Sequence, residues 1–136
     1  MNKAVGVLGL VGALIAAGPA VADDDDWIGV YLGVDAADGS MDYLSIVPGD
    51  DDTFAITIAV SAHGMCPGTG AAVVHAAGRL DGDRLVREEG TLTCAGADAV
   101  AHPGTVYELG KNNRYVAAPA PNDGRKLHFH RLSSVD

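Results

Sequence analysis

The stretch Thr53-Phe-Ala-Ile-Thr-Ile-Ala-Val60 decides the fold. Phe54, Ile56, Ile58 and Val60 alternate with small or polar residues, so apolar side chains recur with a period of two. This alternation, rich in β-branched residues, is typical of a β-strand with one apolar face. The rest of the chain is therefore expected to supply further strands against which that face can be buried.

Similar short runs recur along the chain, with turn signals such as Asp81-Gly82-Asp83 between them. The predicted strands cover residues 27–34, 42–47, 53–60, 71–80, 84–94, 105–109, 115–118 and 127–132. Gly90 predicts a kink in the fifth of them. Eight short strands without a long amphipathic helix predict an all-β fold, a single antiparallel meander closed as an eight-stranded up-and-down barrel. A β-sandwich is the alternative.

The first 22 residues have the pattern of a Sec-type signal peptide. Lys3 supplies the positive start, residues 5–17 are apolar, and Ala20-Val21-Ala22 has the spacing of small residues at a cleavage site. We therefore predict a signal peptide at 1–22, cleaved after Ala22, and one β-barrel domain at 23–136. The expected location is secreted or periplasmic, without a stable membrane anchor.

Cys66 and Cys94 are the only cysteines, and an even count in an exported chain predicts a disulfide. The bridge would close a loop of about 29 residues and join neighbouring strands of the meander. The alternative is a nucleophilic pair formed by His63 and Cys66. That pair requires a free thiolate, which an oxidising compartment disfavours.

The chain is acidic, with 18 Asp and Glu against 9 Lys and Arg and a net charge of −9. Nucleic acid and anionic lipid would both require a basic surface, so neither is expected as a partner. The charge suits a basic protein partner, or it serves solubility alone.

Few residues carry an indication of reactive chemistry. His128 and His130 are two apart on a predicted strand, so their imidazoles share a face and form a candidate metal pair without an evident third ligand. The runs Asp23–Asp26 and Asp50–Asp52 lack the spacing of a calcium loop. Recognisable nucleophile, zinc-protease, phosphate-loop and dinucleotide motifs are absent from the sequence. We therefore expect neither an enzyme nor a cofactor.

Trp27 and Arg131 form the most informative long-range pair. Trp27 lies in Trp27-Ile-Gly-Val-Tyr31, at the start of the first strand, and Arg131 ends Phe129-His-Arg131 in the last. In a closed meander these strands are neighbours, so the guanidinium could cover the indole at one barrel end. This pattern resembles the lipocalin-like (calycin) superfamily, in which an arginine near the chain's end covers a tryptophan early in the first strand.

The resemblance implies a small exported binding module that holds a small apolar ligand in its barrel. An eight-stranded barrel is just wide enough either to fill with side chains or to hold one small ligand. The candidate cavity-lining residues are Tyr31, Phe54, Ile56 and Ile58. Small inward candidates that would leave room are Ala55, Ala59, Ala72, Ala76 and Gly78. The alternative is an acidic envelope interaction or inhibitor protein with a basic protein partner. A third and less favoured alternative is an enzyme with an unrecognised site.

Overall fold

The computed structural model describes residues 23–36, 38–120 and 124–133. The predicted signal peptide, residues 1–22, lies outside these ranges. Within them, the structure contains no helix of the length and apolar character needed to cross a membrane.

The described chain is almost entirely β-structure. The strands are β1 (Gly29–Val34), β2 (Met41–Pro48), β3 (Phe54–Val60), β4 (Ala72–Asp81), β5 (Arg84–Arg87), β6 (Gly90–Cys94), β7 (Val100–His102), β8 (Thr105–Leu109), β9 (Tyr115–Pro119) and β10 (Lys126–Ser133). The helical elements are α1 (Asp24–Trp27) and two short 3-10 turns, Pro67–Thr69 and Lys111–Asn113. Each of the eight predicted strands is confirmed.

Ten strand segments make up eight continuous strands. The last residues of β4 pair with β5 and its first residues pair with β6, so β5 and β6 are one strand interrupted at Glu88-Glu89. The break lies directly before Gly90, which confirms the predicted kink. Similarly, β7 pairs with β6 and β8 pairs with β5, with only Pro103-Gly104 between them.

Pairing of the first and last strands closes the barrel. Every strand is antiparallel to the next in the meander, including β3 with β4, and β1 pairs with β10. In this register Leu32 lies opposite His130 and Gly33 opposite Phe129. The structure is thus a closed antiparallel eight-stranded barrel, and the sandwich alternative is wrong.

Glycine lets the closing strands approach each other. A Cβ at Gly33 would lie 2.9 Å from the ring of Phe129, and one at Gly29 would lie 2.9 Å from the backbone oxygen of Ser133. Both separations are shorter than side chains tolerate. The glycines among the aromatic residues of the first strand are therefore what allows β10 to pack closely on β1.

The chain enters β1 through α1, so Trp27 lies in a helical turn before the strand rather than in the strand itself. The backbone N–H of Asp23 donates to Oδ2 of Asp26, 3.0 Å away, and acidic residues fill the first turn, where the helix dipole favours them. The aspartate run therefore has a local structural role, and it places the buried Trp27 side chain over one barrel end.

The barrel interior is filled by side chains of alternating strand residues. Completely buried members are Trp27, Tyr31, Leu44, Ile46, Leu85, Leu92 and Val116. Among the small residues predicted to face inward, Ala72 and Gly78 are buried and Ala76 is partly buried. Ala55 and Ala59 are exposed, so that prediction was wrong for them. Both alternate with Ile56 and Ile58, which occupy the interior.

The predicted disulfide between Cys66 and Cys94 is present, with the two Cα atoms 5.5 Å apart. Cys66 lies in the loop between β3 and β4, and Cys94 ends β6, where it pairs with Ala72 at the start of β4. The bridge therefore ties the β3–β4 loop to the strand on the other side of β4, at one end of the barrel.

Asp42 is a carboxyl group that the structure turns towards the interior, in line with Leu44 and Ile46 on β2. Its Oδ1 atom is buried without a hydrogen-bond partner in the described chain. Burial, and then the neighbouring charges of Asp35 and Asp38, raise the pKa of Asp42 to about 6. The folded state therefore holds this proton more tightly than the unfolded chain does, and ionisation of Asp42 destabilises the fold.

We expect Asp42→Asn to stabilise the protein at pH 7.5 by about 1 kcal/mol, a value reduced from the nominal shift because the group is only partly buried. The wild type should become less stable by this amount as the pH rises from about 4 to about 6 and Asp42 ionises. The wild type and the variant should therefore be equally stable at pH 4. Urea unfolding at the two pH values measures the difference. Asp83→Asn, in an exposed hairpin, is the control, and an equal effect of Asp42→Asn at both pH values would contradict the assignment.

Candidate functional site

The residues predicted to line a ligand cavity lie where expected but pack against one another. Tyr31, Phe54, Ile56 and Ile58 all face inward, and all are buried members of the core. The Tyr31 hydroxyl donates to the backbone oxygen of Trp27 at 2.7 Å. Burial raises the pKa of Tyr31 to about 12, so this hydroxyl stays a neutral donor.

Arg131 covers the end of the barrel at which Trp27 lies. Its Nη1 donates to the backbone oxygen of Ile28 at 2.7 Å, its Nη2 to that of Asp26, and its Nε to that of Asn113 at 3.0 Å. The guanidinium carbon lies 4.9 Å from the centre of the Tyr31 ring. The guanidinium thus lies over Tyr31, whereas the sequence analysis placed it over the indole of Trp27.

An exposed apolar surface lies outside the barrel, where β10, β1 and β2 adjoin. Among the described residues, six large apolar side chains are exposed, and four of them lie here, with exposed fractions of 45 to 55%. We call this surface the seam face and define it by Leu32, Val34, Met41, Tyr43 and Leu132. Val34 pairs with Met41 and Leu32 with Tyr43, so the patch is continuous across β1 and β2.

Two clefts open beside β10. One, of about 410 Å³, borders the seam face; its lining includes Leu32, Val34, Leu127, Leu132 and Lys126. The other, of about 590 Å³, lies at the Arg131 end and is lined partly by Asp25, Asp26 and Asn112. His130 lines both clefts. Both of these clefts thus border β10.

His128 and His130 project from the outer face of β10 beside Tyr115 of β9. The ring centre of Tyr115 lies 4.8 Å from that of His128 and 5.8 Å from that of His130, while the two imidazoles are 6.5 Å apart. The predicted sharing of a face is confirmed. In the described part of the chain, no group of three or more metal-ligating side chains forms around them. The cluster therefore adds aromatic surface next to the seam face.

The structure also brings together three residues that the sequence analysis did not connect. Arg87, on β5, is 3% exposed and faces the interior. Its Nη2 donates to the backbone oxygen of Pro103 at 2.7 Å and lies 3.3 Å from Nδ1 of His102. The ring of His102 meets that of His63, from the disulfide-bearing loop, edge to face at 5.4 Å. The sequence indicated that Arg87 faces inward, because it lies two residues after the inward-facing Leu85 on the same strand.

Comparison with known proteins assigns no family. No family model matches the chain, and no curated protein or solved structure matches it. The resemblance to lipocalin-like barrels therefore stays a prediction, carried by Trp27, Arg131 and the eight-stranded architecture.

Proposed function

We propose that this protein is an extracytoplasmic interaction module that binds a basic protein partner through the seam face. The observation that carries the proposal is the concentration of exposed apolar side chains on β10, β1 and β2. A continuous apolar patch on an otherwise charged protein is typical of an interaction surface. The disulfide fits an oxidising compartment, where such a module would act.

Acidic groups at the two ends of the seam face support a basic partner, while Arg125 and Lys126 line the cleft at its side. Asp24 and Asp25 lie at one end of β1, and Asp50–Asp52 follow β2 at the same end; all are exposed. Asp38, also exposed, lies in the turn between β1 and β2 at the other end. A basic protein with an apolar patch would thus meet acidic groups at both ends of the surface, and these would speed its approach and orient it.

Holding a small apolar ligand inside the barrel is the alternative. The filled interior argues against it, because Tyr31 and Ile56, two of the predicted lining residues, are at most 1% exposed and belong to one packed core. A ligand there would have to displace side chains. We therefore propose the outer surface as the binding site, with no catalytic step.

We expect a photo-crosslinking residue at Tyr43 to capture one basic protein in cells that export the full chain, whereas the same residue at Val100 should capture none. The double substitution Val34→Lys/Leu132→Lys should weaken binding of the captured protein by about tenfold or more, since it places two charges in an apolar contact and repels a basic surface. Identification by mass spectrometry and titration by calorimetry supply the measurements.

A matched control is Met65→Lys/Val100→Lys, which adds the same charge at similarly exposed apolar positions away from the seam face. Equal weakening by both double variants would contradict the assignment of the surface. Crosslinks only between copies of this chain would mean self-association instead. A small apolar molecule extracted from the purified protein, with no crosslink at Tyr43, would favour the barrel-ligand alternative.

A further inference from the structure

Arg87 is a buried cation that forms no ion pair with the described residues. Its Nε and Nη1 atoms are buried and have no hydrogen-bond partner in the described chain. Of the five N–H donors of a guanidinium, Nε carries one and Nη1 carries two, so three are unused. No described carboxylate forms an ion pair with it. A buried charge in this condition is costly unless something pairs with it.

Asp42 does not serve as the partner, although its Oδ1 is also buried and unpaired. An arginine within ion-pair distance would lower the pKa of a carboxyl group. The pKa of Asp42 is instead raised, by burial and by Asp35 and Asp38. Asp42 therefore does not neutralise Arg87 by a direct ion pair.

The two imidazoles near Arg87 are neutral neighbours of the guanidinium. Nδ1 of His102 faces a guanidinium N–H, and Nδ1 of His63 faces the backbone N–H of Met65 at 3.2 Å, so both Nδ1 atoms accept. In a neutral imidazole the proton then resides on Nε2. Burial lowers the pKa of both rings, and the charge of Arg87 lowers that of His102 further, so they stay neutral at neutral pH. Neither ring therefore supplies a charge to offset the guanidinium, and Nε2–H of His102 points away from Arg87, because Nδ1 of that ring faces it.

We propose that Arg87, with His102 and His63, forms a binding site for a small oxyanion, such as a carboxylate or phosphate group, in the barrel wall. The unused N–H groups on Nε and Nη1 of the charged guanidinium are donors of the kind that bind such oxygens. Small size follows from the packing, because Arg87 lies among core side chains. The site is independent of the seam face and of the partner proposed for it.

Next to this site, the barrel wall of the described chain has an unpaired strand edge. Among the described strands, β7 pairs only with β6, while β9 pairs with β8 at Glu108 and Leu109 alone. The edge of β7 that faces away from β6 therefore has no partner among these strands, and His102 lies at this edge. His102 and His63 are only partly buried, so on this side their rings separate the guanidinium from solvent.

The test uses the oxidised mature protein labelled with ¹⁵N. At constant ionic strength, sodium chloride is replaced stepwise by sodium acetate or sodium phosphate. We expect the Arg87 Nε–H signal to shift in a saturable way. At a tenfold excess over Kd, the melting temperature should rise by about 5 °C. Comparison of the shift produced by acetate with the shift produced by phosphate distinguishes a carboxylate site from a phosphate site.

Arg87→Gln should abolish the saturable shift of melting temperature, whereas Arg84→Gln, an exposed arginine of the same strand, should retain it. Because Arg87→Gln could fail to fold, the wild-type Nε–H titration decides the matter by itself. A signal that moves linearly or not at all with either anion would overturn the proposal and indicate that water alone satisfies the guanidinium.

Discussion

Replacing both cysteines, Cys66→Ala with Cys94→Ala, is expected to lower the free energy of unfolding by about 3–4 kcal/mol. The disulfide closes a loop with a sequence separation of 28, and its loss frees that loop in the unfolded chain. For a domain of this size the melting temperature should fall by about 15 °C. Both cysteines are buried, and alanine avoids placing a polar group there. Thermal and urea unfolding, followed by circular dichroism, measure the change.

Chemical reduction of the wild type provides a comparison that leaves the side chains in place. It should reproduce most of the loss, whereas Cys66→Ala alone should equal the double variant, because either change breaks the bridge. A loss below about 1 kcal/mol would show that the β3–β4 loop is held by its other contacts, and that the disulfide contributes little to stability.

Arg131→Leu is expected to destabilise the fold by about 3 kcal/mol. The substitution leaves the backbone oxygens of Asp26, Ile28 and Asn113 without their donor and removes the cation from above Tyr31. These bonds connect α1, β1 and the Lys111–Asn113 turn to the last strand, so their loss loosens the closure of the barrel. Urea unfolding gives the free energy, and hydrogen exchange at β1 locates the effect.

Arg131→Lys should recover only part of this loss, since a lysine ammonium cannot reach three separate carbonyls with the geometry of a guanidinium. Arg114→Leu is the matched control, because Arg114 is exposed at the same end of the barrel and should change stability by no more than about 0.5 kcal/mol. If Lys restored full stability, charge alone would explain Arg131, and the bonding pattern would not matter.

The strand pattern was predictable because the alternation of Phe54, Ile56 and Ile58 requires one face to be buried. The kink at Gly90 and the Asp81-Gly82-Asp83 turn were predictable because each depends only on the backbone conformation of the residues at that point in the chain. By contrast, the short helix that takes Trp27 out of β1 was not predicted. The apolar pattern from Trp27 onwards favours a strand, and the aspartates before it override that pattern by helix capping.

The sites were less predictable. A period-two pattern shows on which face of its strand a side chain lies, but it does not show which residue of a neighbouring strand lies beside it. The sequence placed Arg131 over the indole of Trp27, whereas the register of β1 and β10 places Tyr31 under it. Similarly, Val34 and Met41 belong to one apolar surface because their strands pair, which neither strand reveals alone. Arg87 escaped notice because a charged residue in a strand is usually solvated.

Closure between the first and last strands has a consequence for how the protein acquires its structure. The bond from Arg131 to the Ile28 carbonyl joins residues 103 positions apart, so the contact order of the final step is high. Until β10 emerges and pairs with β1, both are edge strands that can add to another chain. A chain in which β10 has not yet paired with β1 thus exposes two unpaired strand edges, and holdase chaperones would recognise it before closure rather than after.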